Sequence, residues 1–71
     1  MKIHVVLRKG WTEGAVAEVI RVGTMTQVNE ARARRYGIVS GEAPATAPEA
    51  LRALVQVESV ELDEAKRILQ G

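Results

Sequence analysis

The 71 residues carry ten Lys and Arg against nine Asp and Glu, a formal net charge of +1, with one histidine and no cysteine. That length allows one domain at most, and a domain of this size buries only about 60% of the surface its unfolded chain exposes, so its own core is marginal. Disulfides and thiolate metal sites are excluded, His4 alone builds no metal site, the charge balance falls short of the basic excess usual in nucleic-acid binders, and no apolar run nears the ~20 residues of a membrane span.

Small chains without such staples draw support from partners, so oligomerisation or docking onto a larger body is expected. The N-terminus has no signal-peptide pattern, and the expectation is a soluble, intracellular chain at synthesis. Ten valines and ten alanines dominate the apolar residues, and Trp11 and Tyr36 are the two aromatics. Small branched residues suit thin layers of sheet and helix more than a deep enzyme pocket.

In chain order, "KIHVVLR" at 2–8 alternates, with Ile3, Val5 and Leu7 on one face and His4, Val6 and Arg8 on the other, which predicts a strand. "KGWTEG" at 9–14 reads as a loop or hairpin tip between glycines. "AVAEVIRV" at 15–22 reads as a second strand, although its Ala and Glu content makes helix the competing assignment. "GT" at 23–24 turns the chain, and "MTQV" at 25–28 reads as a short third strand.

Asn29 then occupies an N-cap position, Glu30 stands in the first turn where the helix dipole favours an acid, and the helix runs to about Tyr36. Ala33 and Tyr36 are expected to face inward. Gly37 suits the left-handed residue after a helix, and "IVSG" at 38–41 follows as a short extended exit. "GEAPATAP" at 41–48 is linker-like, with Thr46 as a cap and Pro48 in the first turn of a further helix. In "PEALRALV" an apolar stripe joins Leu51, Leu54 and Val55. "VQVESVEL" at 55–62 returns to strand-like alternation, and Asp63 caps a last helix at 64–70.

These elements predict an α+β fold: a small, mainly antiparallel β-sheet or hairpin with two or three short helices. The expected organisation is a hairpin-plus-helix unit at 1–40, a Pro/Ala linker at 41–48 and a helix–strand–helix segment at 49–71, packed on the first unit or on a neighbouring subunit. "VGTMTQVNEAR" at 22–32 and "VESVELDEAK" at 57–66 look alike, but their inward helix positions differ, so convergent strand-to-helix capping is preferred to duplication.

Chemistry-bearing patterns are sparse. His4 has no neighbouring nucleophile in sequence, Ser40 and Ser59 lie in no nucleophile-elbow setting, and the glycines lack phosphate-cradling spacing. Neither catalysis nor a cofactor or metal is expected. Arg32, Arg34 and Arg35 form the notable polar group. On a helix, Glu30 pairs with Arg34 four residues on, while Arg32 and Arg35 share a side. That side is either a solvated face or a contact for an anionic partner, for which an acidic protein patch serves as well as nucleic acid. Trp11, beside Thr12 in its glycine-flanked loop, is either a lid folded over the core or an exposed anchor for a partner. The candidate partner-binding residues are therefore Trp11, Thr12, Arg32, Arg35 and Tyr36.

The opening "MKIHVVLRKG" and "GTMTQVNEARARRYGIVS" at 23–40 resemble small bacteriophage proteins of head-gene clusters, through Gly23, Thr24, Val28, Asn29, Glu30, Ala33, Gly37, Ile38 and Val39. The resemblance covers about residues 1–40. Tyr36 stands at the family's Leu position and Gly37 follows at once, so the helix here is shorter. The resemblance implies a non-enzymatic virion or head-assembly protein, most concretely a capsid decoration or cement protein. It would bind the major capsid protein or other virion subunits, in many copies or as a homo-oligomer, in the host cytoplasm during assembly and then in the virion. Contacts would run through sheet edges, the Trp11 loop and the 41–71 arm, and the first strand could pair with a partner's strand. The alternative is a small nucleic-acid-binding or regulatory module using the basic helix face. No membrane association is expected.

Overall fold

The computed structural model describes residues 1–63. The predicted last helix at 64–70 lies outside the described residues. The elements run β1 (Lys2–Leu7), α1 (Glu13–Val22), α2 (Glu30–Tyr36), β2 (Ile38–Glu42), α3 (Ala47–Arg52) and β3 (Val57–Leu62). The strands form one antiparallel sheet in the order β2-β1-β3, and the fold is a small α+β one.

Alternation in β1 places Ile3, Val5 and Leu7 on the face where the core forms, and all three are buried. Val39 of β2 and Val57 and Val60 of β3 join them. The apolar residues of β3 are spaced by three and then two, which a regular strand cannot keep on one face. A register shift opposite Val6 and Leu7 absorbs the extra residue: Val6 pairs with Ser59 and Leu7 with Val57. Val57 thereby points inward and Glu58 stays exposed.

Residues 15–22 are helical, so the strand expected there is corrected to α1. Ala15, Val16 and Val19 are buried, with Ile20 packed against the same core. That stripe recurs at three and four residues, and it covers the sheet, whereas a strand would divide Val16 from Val19. The chain therefore leaves β1 by a helix and makes no hairpin with it. The expected strand at 25–28 is also corrected: it reduces to one bridge between Thr26 and Glu42. Thr24 and Gln27 have φ of 50° and 59°, left-handed values that interrupt an extended run.

α3 carries Leu51 fully into the core, but it ends at Arg52, so Val55 leaves the predicted stripe and is 82% exposed. Thr46 occupies the N-cap position without a side-chain cap bond. β3 then pairs with β1, so residues 57–62 belong to the same sheet as the N-terminal strand. The two look-alike segments part here, because 57–62 is a strand and 25–28 is not. A Val55→Lys exchange is expected to change the unfolding free energy by no more than about 0.5 kcal/mol, the spread of a surface change, in a melt followed by circular dichroism.

β1 is the central strand, hydrogen-bonded on both sides, and cannot accept a partner's strand. That role is open only to the outer strands. The second face of the sheet carries Lys2, His4, Ile38, Ser40 and Glu61, none of them buried.

Candidate functional site

The predicted grammar of α2 is realised. The Asn29 side chain accepts from the Arg32 N–H at 3.1 Å, and Arg34 donates to Glu30 at 3.1 Å one turn back. Ala33 is buried. Gly37 ends the helix with φ 72° and donates its N–H to the Ala33 carbonyl at 2.8 Å. Replacing Asn29 with Ala leaves one first-turn N–H without its acceptor; a loss of about 1 kcal/mol is expected from urea unfolding.

Trp11 is half-buried and packs against the core, with its indole lying directly on Gly37. Of the two readings of this residue, the lid is the arrangement present. It occupies the space beside the last turn of α2, and Tyr36 is correspondingly not inward: it is 59% exposed, correcting the expected inward Tyr36. Thr12 is exposed, and its N–H points to the Gln56 side chain at 3.4 Å.

The Tyr36 ring is flanked by both free-standing arginines of the motif. The guanidinium carbons of Arg32 and Arg35 lie 5.9 Å and 5.7 Å from its centroid. An exposed cation–π pair contributes on the order of 0.5–1 kcal/mol, enough to bias the three side chains into one cluster. Among the described residues neither arginine has a carboxylate partner, whereas Arg34 has Glu30. Three of the five predicted partner-binding residues are thus brought together, and Trp11 and Thr12 stand apart from them.

Arg32 and Tyr36 of this cluster form one wall of an open groove of about 730 Å³ between α2 and β2, and Arg35 lies outside it. Asn29, Arg32 and Tyr36 line the helical side at one-turn spacings, and Ile38, Ser40 and Glu42 line the strand side. Sequence reasoning did not select these β2 residues. The signal was present: in "GIVSGE" Val39 must point to the core, which sends Ile38 and Ser40 to the open face.

His4 also borders the groove. Its Nδ1 lies 2.8 Å from Ser40 Oγ, and its Nε2 lies 3.7 Å from Asp63 Oδ1. The residue types are those of a nucleophilic triad, but the Asp63 contact is longer than a hydrogen bond, and Ser40 sits in regular strand pairing rather than on a strained turn. The arrangement ties β1 to β2 and to the end of β3 across the open face. Among the described residues, no group of three or more His, Cys, Asp or Glu side chains is placed to hold a metal ion, and no helix is long and apolar enough to cross a membrane.

Comparison with protein-family models, curated proteins and solved structures finds no match to the chain.

Proposed function

We propose that this chain is a non-enzymatic binding subunit of a larger protein assembly, most concretely a virion protein that decorates or cements a bacteriophage capsid lattice. The observation that carries the binding role is the exposed Arg32–Tyr36–Arg35 cluster at the rim of the groove beside β2. Tyr and Arg are the side chains over-represented where protein partners meet, since each couples a large contact area with directional polar groups. The phage setting rests on the head-gene resemblance of residues 1–40 alone. The expected partner is the major capsid protein or another virion subunit, bound in many copies, so that weak contacts add through repetition.

The test is co-sedimentation with assembled shells of a bacteriophage major capsid protein. The chain is expected in the shell fraction, and replacing Arg32, Arg35 and Tyr36 together with Ala is expected to release it. Absence from the shells, together with salt-sensitive retention on DNA that the same replacement abolishes, would establish the nucleic-acid module instead.

A further inference from the structure

We infer that β2 is a docking edge, which takes an extended, acidic segment of a partner protein as an added strand, lying in the groove against α2. The inference rests on the protein-binding reading above and specifies its mode. The backbone supplies the first argument. The Gly37 carbonyl accepts from the Leu7 N–H at 2.9 Å, and the register then directs Val39 and Gly41 toward β1. On the opposite side, Glu42 exchanges N–H and C=O with Thr26, both at 2.9 Å. Strand geometry therefore turns the N–H and C=O of Ile38 and Ser40 outward as well, away from β1. The edge already takes one residue of its own chain in strand pairing, at Glu42, and among the described residues no strand pairs with the next two outward positions.

The second argument is space. Thr26 and Val28 come close enough to β2 that a Cβ on Gly41 would lie 2.6 Å from the Thr26 carbonyl and 2.7 Å from Val28. Past Thr26 the chain diverges into α2, and the groove opens between the helix and β2, reaching over Lys2 and His4 of β1 on the open face. Its volume of about 730 Å³ falls in the range of about 300–1,000 Å³ typical of ligand sites.

Charge selects the occupant. The Glu42 carboxylate lies 3.7 Å from the N-terminal ammonium, with Lys2 opposite it in the β1–β2 register, so its charge is offset. Arg32 remains as a surplus cation on the helical wall, and Arg35 stands beside the same Tyr36 ring just outside the groove. A strand bound at Ile38 and Ser40 would present its side chains to this wall, where carboxylates meet guanidinium groups.

The experiment uses the full chain, uniformly 15N-labelled, and two end-blocked hexapeptides, one alternating valine with glutamate and one alternating valine with lysine. The glutamate peptide is expected to bind with a Kd below about 1 mM. It should slow amide exchange at Ile38 and Ser40 by at least about tenfold, and the lysine peptide should do neither. Val55→Lys, at an exposed position outside the groove, should bind as the parent does. Ser40→Pro deletes an outward N–H that the sheet does not use, a position where edge strands accept proline, and should lose the peptide while keeping its far-ultraviolet spectrum.

Equal binding of the two peptides would overturn the charge argument and with it the proposal. Binding without protection at Ile38 and Ser40, or no binding, would also overturn it. Protection that rises with protein concentration in the absence of peptide would mean that the edge serves a second copy, and would overturn the assigned occupant. Shell co-sedimentation in the face of a negative peptide result would leave the assembly role standing and sink only the strand-addition mode.

Discussion

Gly37→Ala is expected to lower the unfolding free energy by about 3 kcal/mol and the midpoint by roughly 10–20 °C. Two causes add at one position. The backbone there has φ 72°, which costs a residue with a Cβ about 1–2 kcal/mol. The new methyl group would also overlap the Trp11 indole, and relieving such overpacking costs a further 1–3 kcal/mol or so. The two causes separate in a double-mutant cycle. In a Trp11→Ala background the steric part disappears and the backbone part remains, so the second substitution should cost about 1–3 kcal/mol less than it does in the parent. Strict additivity of the two changes would refute the contact. The carbonyl of Gly37 also starts the β1–β2 ladder, so displacement of this residue is expected to disturb the amide spectrum of Leu7 along with that of α2.

Leu51→Ala is expected to cost about 2–5 kcal/mol, read from urea unfolding with the m-value unchanged. Leu51 is fully buried and is the one large side chain that α3 contributes to the core. Ala47 and Pro48 beside it are too small to refill the space. A domain of this length has a total stability of roughly 4–11 kcal/mol, so the variant would sit near the folding threshold at 37 °C. Its neighbour Leu54 is only partly buried, and Leu54→Ala should cost less than half as much. Equal losses at the two positions would mean that α3 does not anchor the 43–56 connection in the way its burial indicates.

The elements read correctly from sequence are those whose determinants are local. Asn29 and Gly37 bracket α2 because a side-chain acceptor and a residue tolerant of positive φ satisfy the helix ends without outside help. The strict alternation of Ile3, Val5 and Leu7 marks β1 for the same reason. Residues 15–22 misled because valine and isoleucine suit either state, and the choice falls to whichever face the core covers. Val55 misled because α3 stops at Arg52, one turn short of the predicted stripe, and a stripe has no meaning beyond the helix that carries it. The spacing from Ala33 predicts an inward Tyr36, but Trp11, 25 positions earlier in the chain, lies against the end of that helix at Gly37. The groove was half visible: the arginine pair stood out, while the open edge of β2 could not be recognised before the strand order was known.

From the sequence by itself came the class of fold, the α2 cap-to-cap unit, the Glu30–Arg34 pair and the reduced set of chemistries open to a chain without cysteine and with one histidine. All of these depend on interactions within a few residues, or on composition. Only the tertiary structure decided that β1 is the centre of the sheet and β2 an edge, that Trp11 lies on Gly37, and that His4 meets Ser40 across 36 positions. The physical reason is that strand order, and hence which backbone groups remain unpaired, follows from contacts between residues distant in sequence. Local propensity carries no record of those contacts.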